Sequence, residues 1–281
     1  MPLSPLRLLP VLLVVLLSAC ASAPAPEARR QQAMELARLQ HWQGLTLDTQ
    51  SFPLQAFVPS TFADERRLVI YLEGDGFAWR TASQPSDDPT PINPLALHLA
   101  LAQPSGNAAY LARPCQYLGA QRAPCSQRYW TDARFADTVV ASVDLAISTL
   151  KARANAREVV LVGYSGGAAI ALLVAARRDD IRRVVTVAGN LDHRAWTDYH
   201  HVQPLRGSLN PADDSTRLAH LEQIHLVGSD DRVLPPPLAQ RFVREHPANP
   251  PAQVWVMPGY THQSGWAEHW PSLWQRLEQI P

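Results

Sequence analysis

The sequence predicts an α/β protein built on a doubly wound, mostly parallel sheet. Short runs of β-forming residues alternate with longer segments of helical spacing, an order that winds helices onto both faces of one sheet with right-handed crossovers. The strand-like runs in "RLVIYLEGDG", "EVVLVGYSGG" and "IRRVVTVAGN" are nearly continuous in apolar residues, as parallel strands covered on both faces require. The 281 residues, 46% hydrophobic and 18% charged, suffice for one large core. Basic and acidic residues number 25 each, so no net field draws the chain to nucleic acid or to an anionic membrane.

Taken in order, residues 1–19 place Arg7 ahead of "LLPVLLVVLLSAC". That apolar run is about a dozen residues long, shorter than the roughly 20 of a spanning helix, and reads as a signal peptide. Residues 20–50 begin with the small, Pro-rich "ASAPAPEARR", a tether. They continue into "ARRQQAMELARLQHW", where Met34, Leu36, Leu39 and Trp42 recur loosely at helical spacing; this segment either docks or stays free. The folded domain is expected over 51–281. Strands are predicted at "RLVIYL", "NAAYLARP", "EVVLV", "IRRVVTV", "QIHLVG" and "AQVWVM". Helices are predicted at "DARFADTVVASVDLAISTLKA" with Asp132 as a cap, "AAIALLVAARR", "PPLAQRFVREH" and "AEHWPSLWQRLEQI". Two long insertions, 77–129 and 190–217, leave from the expected C-terminal ends of strands, where such sheets place ligands, and are expected to form a cap or pocket rim.

Leu17-Ser18-Ala19-Cys20 resembles the lipobox of bacterial lipoprotein precursors. The resemblance implies lipid on Cys20 as the mature N-terminus, with Ala21 permitting sorting to the outer membrane, facing the periplasm. An ordinary secretory cut near Ala19 or Ala23 is the alternative. Cys115 and Cys125 lie ten positions apart in a Pro-rich loop of a chain bound for an oxidising compartment, and are expected to pair rather than remain free thiols.

Gly163-Tyr164-Ser165-Gly166-Gly167 is G-x-S-x-G, a pentapeptide that composition alone yields in roughly one in ten chains of this length. Its context is more informative: Val159 to Val162 feed the turn and an Ala-rich run leaves it, the strand-turn-helix setting that exposes a serine nucleophile. A serine hydroxyl needs a base to take its proton and an acid to orient that base. Asp231 follows the apolar run "QIHLVG", and His262 follows the last strand in "AQVWVMPGYTHQSGW".

With Ser165, Asp231 and His262 in that order, residues 66–279 resemble the α/β-hydrolase superfamily, whose triads run Ser, acid, His along the chain. The resemblance implies a sheet of α/β-hydrolase type, with Ser165 as nucleophile, His262 as base and Asp231 as acid. Gly228-Ser229-Asp230-Asp231 with Pro235 matches the family's acid turn, and Asp230 competes with Asp231 for the role. Of the two oxyanion donors, one is the N–H of Gly166. The other is the N–H of Asp75, in "EGDG", where Glu73 replaces the usual histidine. The Asp75 carboxylate opposes an oxyanion unless it turns away or pairs with Arg80 or Arg113.

Tyr164, Gly76 and Phe77 are expected against the substrate. Trp79, Trp130, Tyr164, Trp196, Tyr199 and Trp266 either line an acyl pocket or pack in core and loops. Arg80, Arg113 and Arg128 either hold an anionic substrate or serve structure. His193, Asp198, His200 and His201 lack metal-ligand spacing, and "GYSGG" lacks the G-x-G-x-x-G of a dinucleotide turn, so neither metal nor cofactor is expected. The expected function is acyl-bond hydrolysis of a small-molecule substrate, an ester first. The same triad also serves peptide, amide or thioester bonds, and a non-catalytic binding module on this fold is the rival that Glu73 and Asp75 favour. Nothing in the sequence bears on oligomeric state.

Overall fold

A computed structural model describes residues 23–120 and 123–280; the signal peptide and Cys20 lie outside the described residues. In chain order the elements are α1 (Pro26–Leu39), β1 (Trp42–Leu47), β2 (Leu54–Pro59), β3 (Arg67–Leu72), α2 (Leu95–Ala102), β4 (Asn107–Leu111), α3 (Asp137–Arg153), β5 (Glu158–Tyr164) and α4 (Gly166–Ala175). They continue with β6 (Ile181–Val187), α5 (His193–His200), α6 (Ser215–Leu218), β7 (Glu222–Gly228), α7 (Pro236–Glu245), β8 (Gln253–Met257) and α8 (Trp266–Glu278). Among the described residues no helix is long and apolar enough to cross a membrane.

The eight strands form one sheet in the order β1-β2-β4-β3-β5-β6-β7-β8. From β4 to β8 every neighbouring pair is parallel, whereas β1 and β2 are antiparallel to each other and β2 is antiparallel to β4. Side-chain alternation explains the continuous apolar runs. In β3, Leu68, Ile70 and Leu72 enter a core shared with α3, α4 and α7, while Val69 and Tyr71 enter a second core under α1, α2 and α8. The all-apolar α4 is buried at every residue, packed against β3, β5 and β6, against α3 and against the turn at Pro211–Asp214. Each Leu or Ile buried there contributes about 1.5 to 3 kcal/mol.

Three findings differ from the sequence reading. The sheet begins before residue 51: "WQGLTL" forms β1, an edge strand in which Gln43, Gly44 and Thr46 are exposed, so it lacks the apolar run that marks the central strands. The preceding helix docks through Ala33, Ala37 and the buried Arg29. Asp132 caps nothing: α3 starts at Asp137 after Ala136, with Asp137 itself in the first turn, where its charge suits the helix dipole. The first insertion also contains a helix, α2, whose sequence "LALHLALA" is apolar except at the half-buried His98 because it lies between the sheet and α8.

Candidate active site

Because β3 and β5 to β8 run parallel, the loops after them gather at one edge of the sheet. That edge carries every residue of the candidate site. Ser165 sits between β5 and α4 at φ 51°, ψ −120°, a conformation that costs a non-glycine residue about 1 to 3 kcal/mol. Surrounding bonds hold it there: its N–H donates to Val187 O, and its carbonyl accepts from Ala168 N and Asn190 N, at 3.0 to 3.1 Å. The flanking glycines are required by close approach. A Cβ on Gly163 would lie 2.5 Å from the Ala168 Cα, and one on Gly166 would overlap the Asp75 carboxylate.

The structure brings Ser165, His262 and Asp231 together. His262 Nε2 is 3.1 Å from Ser165 Oγ, and its Nδ1 is 2.9 Å from Asp231 Oδ2. The other Asp231 oxygen accepts the N–H groups of Val233 and Leu234, both at 2.8 Å. Burial of Asp231 opposes its ionisation, but the bonds from His262, Leu234 and Val233 outweigh it and hold the carboxyl below its ordinary pKa. Asp230 is exposed and bonded to Ser229 Oγ at 2.9 Å, so the acid that faces His262 is Asp231. The β8–α8 loop that carries His262 is pinned by Trp266 Nε1 donating to Thr261 O at 2.9 Å, and the Tyr164 ring lies 5.4 Å from the imidazole.

The loop after β3 supplies the second half of the site. Among the described residues, the N–H groups of Asp75 and Gly166 have no hydrogen-bond acceptor. The Asp75 carboxylate is ion-paired with Arg113 Nη1 at 3.2 Å and Arg134 Nη1 at 2.6 Å, two arginines that are themselves buried. Burial raises the Asp75 pKa, yet Arg134 and Arg113 together bring it below the usual value. Of the two arginines that the sequence offers as partners, Arg113 faces Asp75, whereas Arg80 pairs with the exposed Asp87. The guanidinium of Arg128 lies 5.6 Å from the Tyr129 ring centroid.

Glu73 is 1% exposed. Burial pushes its pKa up to about 7, against the pull of Gly74 N–H, Tyr110 Oη–H and the N–H groups of Ala96 and Leu97 at the start of α2. The bonds from Gly74 N and Tyr110 Oη are 2.9 and 3.1 Å. Gln116 Nε2 donates to Gly74 O at 3.0 Å. The EGDG loop is therefore tied down at three consecutive residues.

A cavity of about 300 Å³ opens over Ser165 and His262. Gly76, Phe77 and Tyr164 line it, together with Pro91, Ile92 and Gln263, which sequence reasoning missed. Of the six aromatic residues that the sequence offers for an acyl pocket, Tyr164 lines this cavity and Trp79, Trp130, Trp196, Tyr199 and Trp266 do not. Trp130 and Trp266 are buried structural residues, their Nε1 groups donating to Ser86 O and Thr261 O. Trp196 donates to Val233 O, while Trp79 and Tyr199 are exposed. Cys115 and Cys125 are joined by a disulfide. The residues between Arg113 and Tyr117 reach the EGDG loop, a contact signalled in the sequence only by their position next to Cys115.

No protein-family model and no curated protein sequence matches the chain. Solved structures do. Est1E from Butyrivibrio proteoclasticus superposes with a TM-score of 0.58 at 14% identity, covering 84% of this chain and 98% of that one. An alpha-beta serine hydrolase homologue from Coxiella burnetii gives 0.57 at 15% identity, covering 84% and 96%. The Pyrococcus furiosus esterase Pf2001 gives 0.58 at 13% identity, covering 84% and 90%. The chain therefore has the α/β-hydrolase fold.

Proposed function

We propose that the protein is a serine hydrolase that cleaves acyl bonds, esters first, through an acyl-enzyme. The observation that carries this reading is the continuous chain of contacts from Ser165 Oγ through His262 to Asp231. Ser165 Oγ attacks the acyl carbonyl carbon as its proton passes to His262 Nε2, and Asp231 holds the imidazole by Nδ1–H and stabilises the imidazolium. The carbonyl oxygen, now an oxyanion, takes hydrogen bonds from the Gly166 and Asp75 N–H groups. His262 gives the proton to the departing alkoxide. Water, deprotonated by His262, then attacks the acyl-serine and frees the acid.

Names of fold neighbours, an esterase and a serine hydrolase homologue among them, agree with this chemistry. The N-terminal sequence supports export and lipid attachment at Cys20, which would hold the enzyme in the bacterial envelope, at the outer membrane facing the periplasm. A fluorophosphonate probe should label the wild type, and p-nitrophenyl butyrate turnover should fall at least about 10³-fold in Ser165→Ala. Unchanged labelling of that variant sinks the assignment.

A further inference from the structure

The chain enters its folded body beside the mouth of the candidate active site. Residues 23–26 border a groove of about 510 Å³ whose other wall is formed by Phe77, Arg80 and residues 86–88. Phe77 belongs to both spaces, because it also lines the cavity over Ser165 and His262. This arrangement is held in place. The Arg29 guanidinium is buried, donates to the carbonyls of Asp88 and Thr90, and lies 5.2 Å from the Phe77 ring centroid. Arg30 adds a bond to Tyr117 O at 3.3 Å. Cys20 is three residues upstream of Ala23, and three residues span at most about 10 Å.

Three apolar side chains near the same mouth are open to water. Ile92, in the cavity wall, is 40% exposed; Trp79, two residues beyond Phe77, is 39% exposed; Val233, which shares a depression with His262 and Gln263, is 42% exposed. Single exposed apolar residues are ordinary, but Ile92 and Val233 border two spaces that share His262 and Gln263, and Trp79 follows Phe77, which lines both the cavity and the groove beside residues 23–26. The neighbouring exposed pair Arg80 and Asp87 cancels in charge. Tryptophan, with an apolar body and a polar N–H, suits the boundary between water and acyl chains.

We propose that Trp79, Ile92 and Val233 rest on the surface of the bilayer to which Cys20 tethers the chain, so that Ser165 receives acyl esters from that membrane. The proposal rests on lipid at Cys20 and on the hydrolase reading of Ser165. The direction from which substrate arrives is then set by where the N-terminal segment is pinned.

The test uses the full processed chain in vesicles of phosphatidylethanolamine and phosphatidylglycerol, with the mass of its N-terminal peptide recording lipid on Cys20. The emission of Trp79, taken as the difference between wild type and Trp79→Phe, should fall at least twofold when the vesicle lipids carry brominated acyl chains. Trp79→Ser should lower hydrolysis of a long-chain fluorogenic ester dissolved in the vesicles fivefold or more, with turnover of soluble p-nitrophenyl butyrate unchanged. A lipidated, vesicle-bound chain whose Trp79 is not quenched overturns the proposal, as does an N-terminal peptide without lipid. Ester turnover that survives Ser165→Ala overturns the hydrolase reading instead, and the quenching measurement, which needs no turnover, still decides the orientation.

Discussion

Asp75 places a carboxylate against Gly166, whose N–H the proposed mechanism assigns to an oxyanion, and Arg113 and Arg134 face that carboxylate and offset its charge. Breaking a buried pair by removing one partner strands the other charge. Asp75→Asn leaves two buried guanidiniums facing a neutral amide, and is expected to cost about 3 to 5 kcal/mol in urea denaturation. Gly166→Ala isolates the geometric effect, since its Cβ must displace the Asp75 carboxylate and the backbone behind it. The expected result is a fall in kcat of about 10²- to 10³-fold with KM little changed; unchanged kcat would remove Asp75 N–H from the oxyanion hole. Ser165, Asp231 and His262 were legible because each follows its own strand. Arg134 was not, since nothing local marks a partner 59 positions from Asp75.

Among the elements, the connection from β4 to α3 does more than link them. Its disulfide, Cys115 to Cys125, closes a loop beginning two residues after Arg113, which holds Asp75, and next to Gln116, which holds Gly74. The Tyr117 hydroxyl meets that of Tyr110, which donates to Glu73. Replacing both cysteines by serine is expected to lower stability by about 2 to 3 kcal/mol through a less constrained unfolded chain. A structural staple alone would leave kcat intact in the folded variant. The contacts to the EGDG loop lead instead to a kcat lowered about tenfold at unchanged KM, read by steady-state kinetics well below the melting temperature. Elements with a single strong period were legible. The edge strand β1 was hidden by its polar exposed face, and α2 by lying within a Pro-rich insertion without a polar face of its own.

For the molecule as a whole, these groups set how stability follows pH. Glu73 titrates near 7 in the folded chain and near 4.3 in an unfolded one, so between those values the folded chain holds a proton the unfolded chain has lost. Its contribution is full below about pH 4 and disappears as pH rises through 7. Asp75 and Asp231 are shifted the other way; their contribution is present at neutral pH and lost as pH falls through the carboxylate range. From pH 5 to pH 8 the stability of wild type relative to Glu73→Gln should drop by about 2 to 3 kcal/mol in urea titrations, and a flat difference would place the Glu73 titration elsewhere. By itself, the sequence determined the layered α/β architecture and the order of Ser165, Asp231 and His262, because strand and helix periods and elbow residues are local properties of the chain. Only the tertiary structure decided that Asp231 rather than Asp230 faces His262, that two arginines neutralise Asp75, and that the N-terminal segment is pinned beside Phe77. Those depend on which distant segments the sheet order brings to one edge, and sheet order arises from packing of the whole chain.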